Sequence, residues 1–166
     1  MRHLRAILAL PVVALVVIPC ILIAATDGID IGWSLASPLD LLAILLGAIL
    51  IVLGLALLVT TIRQFMRFGE GTLAPWDPTQ KLVVQGIYRY VRNPMHSGVF
   101  LTLYGEGVLL GSVPIILFVT VVVVGHLFYI PLVEERGLER RFGDQYLTYK
   151  RHVPRWIPRL KPWDGS

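Results

Sequence analysis

The stretch Gly86-Ile87-Tyr88-Arg89-Tyr90-Val91-Arg92-Asn93-Pro94-Met95-His96-Ser97-Gly98 is dense in groups that bind or position something, and it lies between two long apolar segments. Further on come the adjacent carboxylates Glu134 and Glu135, then Phe142-Gly143 and Tyr146. Paired carboxylates suit a cationic ligand, and a helix opening at Pro94 would present free backbone N–H groups to an anionic one. The plain alternative is acidic residues solvated at the end of a membrane helix. A pair of carboxylates at a helix C-terminus opposes the helix dipole, and their mutual repulsion adds to the cost. Arg136, Arg140 and Arg141 offset part of that. The residues alone leave both readings open.

Two more ionisable groups stand inside apolar sequence. His126, Ile130 and Glu134 are spaced i, i+4, i+8, which puts them on one helix face. His126 is either a helix–helix hydrogen-bond donor or a substrate group. Glu106 lies in a short apolar segment, where an ionised carboxylate at mid-bilayer would cost roughly 2.5 kcal/mol or more. It is therefore neutral, paired or close to the outer surface, and it is the second candidate for touching substrate.

The elements that must carry these groups are apolar. The chain has 166 residues, 55% of them hydrophobic, and a mean hydropathy of +0.71. That is too apolar for a soluble domain of this length. An all-α integral membrane bundle is expected, as one domain over 1–166, with about four spans near 6–25, 39–65, 98–110 and 115–133. The first is read as a retained helix rather than a signal peptide, because its apolar run is long for one. Gly47 and Gly54 fall on one face of the second span and permit close helix contact. The segment Leu82-Val83-Val84 is a short apolar patch, and Gly86 reads as a turn. Gly111-Ser112-Val113-Pro114 reads as a tight turn joining the third and fourth spans. Beyond Glu134 a helical segment leaves the membrane, with an interruption at Gly143. The single cysteine, Cys20, provides no disulfide framework and no Cys-based metal site, and no metal or nucleic acid is expected.

All 15 Lys and Arg residues fall at the N-terminus, in the 63–92 region, or in the tail from Arg136. The loop near residue 30 and the turn near residue 112 carry none. The positive-inside rule then puts both termini, the connection 67–97 and the segment 134–160 on the cytoplasmic side. The basic tail, with Trp156 and Trp163, is expected on the anionic membrane surface.

The pattern Gly-x-Tyr-Arg-x-x-Arg-Asn-Pro-Met-His-x-Gly at 86–98, then Glu134-Glu135, Phe142-Gly143-x-x-Tyr146-x-x-Tyr149 and Val153-Pro154-Arg155, resembles the isoprenylcysteine carboxyl methyltransferase and phospholipid methyltransferase superfamily. The likeness covers roughly 70–160 and is greatest to small bacterial members, which implies a bacterial inner membrane. It implies S-adenosylmethionine, bound at the cytoplasmic membrane face without the soluble Rossmann-type methyltransferase fold. Carried over by position, the cofactor residues would be Gln80, Lys81, Leu82, Val83, Tyr88, Asn93, Pro94, Met95, His96, Glu134 and Glu135. Glu134, Arg92 and His96 would be catalytic. Asn93 stands where prenylcysteine enzymes carry histidine, and His96 where they carry tyrosine. Ile130 stands where they carry an arginine serving the substrate carboxylate.

The expected function is methyl transfer from S-adenosylmethionine to a small lipophilic or amphiphilic acceptor (a lipid amine, a thiol or a carboxylate), reached from the surrounding membrane lipid. The alternative is a non-catalytic membrane protein, either a scaffold or a haem-binding electron carrier using His96 and His126. Counted back from Glu134, His126 lies about eight residues inside its helix, roughly 12 Å at 1.5 Å per residue. His96 opens its own helix at the membrane face. On that count the two histidines differ in depth.

Overall fold

The structure is a computed structural model, and it describes residues 12–26, 28–68 and 81–165. Gln80, the beginning of the expected first span and the 69–80 part of the long connection lie outside the described residues. The described residues form helices and no strand. Helix α1 runs Val13–Thr26, beginning with a π-helical turn at Val13–Val17. It is followed by α2 (Leu39–Phe68), α3 (Pro94–Leu110) and α4 (Val113–Tyr129). A π-helical turn at Ile130–Glu134 carries α4 into α5 (Glu135–Phe142), and α6 is Asp144–His152. Short 3-10 turns occupy Ile31–Ser34 and Gly86–Arg89.

Two of these helices, Leu39–Phe68 and the continuous Val113–Phe142, are long and apolar enough to cross a membrane; Val13–Thr26 is a shorter apolar helix. The packing of α2 is inside-out. Its buried residues are Gly47, Gly54, Leu58 and Thr61, while Leu42, Leu46, Ile49, Val52 and Leu53 are exposed. In water so large an apolar surface would be an aggregation site. In lipid it is the expected arrangement: tails solvate the leucines, and small residues let helix backbones approach. The protein is an all-helical membrane bundle.

The α2–α3 contact shows how close that approach is. A Cβ on Gly47 would sit 2.8 Å from the Gly105 carbonyl oxygen and 2.6 Å from the Leu109 nitrogen. A Cβ on Gly54 would sit 2.7 Å from the Gly98 carbonyl and 2.6 Å from the Thr102 nitrogen. The close contact expected of Gly47 and Gly54 is therefore present, and its partner is the glycine-bearing face of α3.

The two ends of the bundle differ. At one end Gly111 caps α3 in the left-handed conformation, φ 61°. The Asp30 N–H donates to the Leu110 carbonyl (2.8 Å), and Trp33 Nε1 donates to the Val108 carbonyl (2.8 Å). The loop near residue 30 thus satisfies carbonyls that the helix end leaves open. At the other end the chain after α6 runs back along the segment before α3. Arg92 N–H donates to Pro154 O (2.9 Å), Asn93 N–H to Arg155 O (3.3 Å), Arg159 N–H to Tyr90 O (3.0 Å) and Trp163 N–H to Arg89 O (2.9 Å). The tail is strapped to the motif segment.

That strap corrects one expectation. Trp163 is buried, 8% exposed, stacked on His152 with centroids 5.3 Å apart and set against Tyr149. It packs inside the tail rather than on a membrane surface. Leu160 and Ile157 are the tail's exposed apolar side chains.

Candidate functional site

The site is built around the irregular helix turn. Pro131 has no N–H to donate and its ring displaces the carbonyl one turn back, so an α-helical ladder cannot pass through it undisturbed. The chain slips to the wider register: the Glu135 N–H bonds to the Ile130 carbonyl, a five-residue step. Such turns inside α-helices frequently occur at functional sites. Adjacent helix residues differ by about 100° in direction, so Glu134 and Glu135 have different neighbours.

Glu135 points into protein and is 2% exposed. It accepts from Arg155 Nε at 2.7 Å and Nη2 at 3.0 Å. Arg92 Nη1 lies 3.0 Å away and Lys150 Nζ 3.1 Å away. Three cations from three segments (the irregular approach to α3, α6 and the tail) converge on one buried carboxylate. The burial is tolerated because the charge is fully paired. Arg92 also donates to the Tyr146 hydroxyl at 3.3 Å. Arg92, expected as a catalytic group, is a member of this internal network, its side chain 8% exposed. Expected at the cofactor, Glu135 is the hub of the same network. A buried carboxylate recruits the nearest cations.

Among the described residues Glu134 has no such cations around it. Its side chain is 34% exposed, and the ion-pair contact it makes among the described residues is the loose 3.9 Å approach of His96 Nε2. Tyr88 is near enough for the Glu134 charge to act on it: burial first, then Tyr149, then Glu134 push the phenol well above its ordinary range. Tyr88 is held by an edge contact to Phe65 (5.5 Å), and its carbonyl accepts from the Tyr149 hydroxyl at 2.7 Å. Burial pushes the Tyr149 hydroxyl up, Arg92 opposing and Tyr146 reinforcing.

Aromatic rings complete the cluster. The His96 and His126 rings have centroids 5.1 Å apart. Phe100 meets His126 edge-on at 5.3 Å, Tyr129 meets it at 6.0 Å, and Trp156 lies 5.9 Å from Phe100. Trp156 Nε1 is buried and has no hydrogen-bond partner among the described residues. Phe100, Tyr129, Trp156, Lys150 and Arg155 were not among the residues singled out from sequence as site groups; Trp156 reaches the cluster only through the tail strap.

The expected difference in depth between His96 and His126 is overturned. Counting from Glu134 hides the register that the α3–α4 turn imposes. His96 lies 15 residues before Gly111 (111 − 96), and His126 lies 14 after Ser112 (126 − 112). In a helical hairpin equal distances from the turn mean equal height, and the remainder of the α4–α5 helix overshoots α3. The two rings are in contact, which leaves no slot for a porphyrin between them.

The other expected residues are distributed as follows. Asn93 precedes α3 and is buried, its side-chain amide 3.5 Å from the Arg155 carbonyl. Pro94 is buried in the first turn of α3, and Met95 is half-buried beside it. Val83 is buried. Leu82 packs on the Tyr146–Tyr149–Val153–Trp163 cluster and lines an open hollow of about 640 Å³ with Val84, Arg89 and Thr148. Lys81 is exposed. Glu106 is not brought to the cluster: ten residues along α3 from His96, it is roughly 15 Å away, and about 6 Å from the helix end at Leu110. It belongs to the opposite end of the bundle. Ile130 is fully buried, 0% exposed.

The family described as Phospholipid methyltransferase matches residues 42–145, from the first turn of α2 to the start of α6. The chain belongs to the phospholipid methyltransferase family. This member is 38% identical over 77 residues to the Protein-S-isoprenylcysteine O-methyltransferase of Schizosaccharomyces pombe, covering 46% of this chain and 33% of that protein. It is 39% identical over 80 residues to the Protein-S-isoprenylcysteine O-methyltransferase B of Arabidopsis thaliana, covering 47% of this chain and 40% of that protein. The match therefore spans well under half the length of these curated relatives. No solved structure matches this family member.

Proposed function

We propose that this family member is an S-adenosylmethionine-dependent methyltransferase in the membrane, acting on a small lipophilic or amphiphilic acceptor. The observation that carries the reading is the division between the two glutamates. Glu135 is neutralised by three cations, whereas Glu134 keeps a partly exposed carboxylate with only the loose approach of His96. A carboxylate left without a cation beside aromatic faces fits a positively charged ligand. When bound, S-adenosylmethionine supplies an electrophilic methyl group on a sulfonium centre.

The chain's own part is to hold and exclude. Glu134 attracts the cationic groups, and Tyr88, Asn93, Pro94, Met95 and His96 frame the same end of α3. Phe100, Tyr129 and Trp156 keep water from the reacting centre. Displacement at a methyl carbon needs alignment more than acid or base strength, so orientation and preorganised charge supply most of the acceleration. The names of the two relatives specify an isoprenylated cysteine, which supports a lipophilic acceptor here. Tyr129 and Phe128 are exposed on the outer face of the helix, a route by which such an acceptor enters sideways from the bilayer. The concentration of Lys and Arg at this end supports a cytoplasmic orientation of the site.

Calorimetric titration of S-adenosylmethionine into detergent-purified protein tests the reading. Wild type is expected to bind, and Glu134→Gln to weaken binding at least about tenfold, or 1.4 kcal/mol. A folded wild-type protein that does not bind would overturn it.

A further inference from the structure

We propose that His126 takes the proton of the methyl acceptor, and that the acceptor is accordingly a neutral nucleophile carrying an N–H, S–H or O–H. The inference rests on the methyltransferase reading and narrows its acceptor.

The tautomer of His126 is fixed by its own helix. Nδ1 lies 2.8 Å from the Val122 carbonyl oxygen. A carbonyl can only accept, so Nδ1 carries the hydrogen and Nε2 is left with a lone pair. A second-site bond of this kind is how proteins hold an imidazole ready to accept at its other nitrogen. The ring stands beside the candidate cofactor residues: in contact with His96 and Phe100 of α3 and beside Tyr129 of α4, with His96 between it and Glu134.

The surroundings select against an anionic acceptor. Arg92 and Arg155, whose backbones flank the cluster, both engage Glu135. A carboxylate would meet the Nε2 lone pair with no hydrogen to offer it. An acceptor with a hydrogen to donate meets a matching group. The step balances. The acceptor heteroatom uses its lone pair to form the new bond to the methyl carbon, while the methyl–sulfur bond breaks and its electron pair remains on sulfur. The heteroatom's proton passes to His126 Nε2, giving imidazolium. One positive charge is lost at sulfur and one appears at His126, so the net charge of the low-dielectric site is unchanged, which avoids a large electrostatic cost.

Three probes of equal chain length test this in detergent-purified protein with methyl-labelled S-adenosylmethionine: decanethiol, decylamine and decanoate. Label is expected on the thiol or the amine and not on decanoate. In His126→Ala the rate is expected to fall about 100-fold, with S-adenosylhomocysteine affinity unchanged and partial rescue by added imidazole, which a packing role would not show. His126→Asn, which keeps a donor for the Val122 carbonyl, serves if the alanine variant does not fold, and is expected to lose rate alike. Transfer to decanoate matching the other probes, an unaltered rate in both variants, or no transfer to any probe by protein that binds S-adenosylhomocysteine would overturn the proposal. Absence of S-adenosylhomocysteine binding would instead overturn the reading beneath it.

Discussion

At the scale of single residues, what separates the groups is where their charge is answered. Glu135 is held by Arg155, Arg92 and Lys150; Glu134 is not. The acidic pair was visible in sequence, and so was its electrostatic cost. Which carboxylate would be neutralised was not, because the neutralising cations come from residues 92, 150 and 155. The pairing of Arg92 with Glu135 was hidden for the same reason. The pH response follows from the partly exposed Lys150 and the buried Tyr149 of this network. Lys150 is pushed up by its bond to Glu139, against burial and with Glu135 adding, and Tyr149 is pushed up chiefly by burial. A group whose folded value is raised stabilises the fold below its ordinary value and loses that contribution as pH rises. The ordinary values are about 10 for tyrosine and 10.4 for lysine. The packing of α6 and the tail is therefore expected to hold through neutral pH and to loosen above about pH 10. The tyrosinate absorbance of Tyr88, Tyr146 and Tyr149 should appear late and together with the change in helical circular dichroism. Tyrosinate titration complete near pH 10 with no structural change would contradict this.

At the scale of elements, the glycines and the turns were readable and the register was not. Gly47 and Gly54 recur at a helical interval, and in the structure each meets a backbone atom of α3 closer than a Cβ allows. Gly54→Leu is expected to force α2 and α3 apart, with an overpacking cost of about 1–3 kcal/mol or more. Thermal unfolding in detergent should show a lowered midpoint, while the same change at the lipid-facing Val52, 65% exposed, should leave it nearly unaltered. Equal loss at both positions would mean that the α2–α3 contact is not the closely packed one. The Gly111–Pro114 turn was also anticipated, and counting outward from it would have set His96 level with His126. The π-helical turn was not anticipated: Pro131 announces a disturbance of the helix, but not which way the register slips.

At the scale of the whole molecule, the charge map carried the most information. The loop at residue 30 meets the end of α3, whereas the connection before α3, Glu135 and the tail meet at the opposite, basic end. The motif segment, the glutamate pair and the tail thus share the basic end of the bundle, as the placement of Lys and Arg suggested. The strap between 89–93 and 154–163 escaped sequence reading because it pairs irregular segments about 65 residues apart, where no periodicity signals a partner. It brings Trp156 to Phe100 and Arg155 to Glu135, so the tail is a wall of the site. One comparison tests this arrangement: S-adenosylhomocysteine affinity and thermal midpoint measured side by side for wild type, Glu134→Gln and Glu135→Gln. Glu134→Gln should lose affinity and keep its midpoint. Glu135→Gln, which leaves its three cations without a charge to answer them, should lose its midpoint, with destabilisation approaching the roughly 3–5 kcal/mol of a broken buried ion pair. The reverse pattern, with Glu135→Gln stable but unable to bind and Glu134→Gln binding normally, would contradict the assignment of both glutamates.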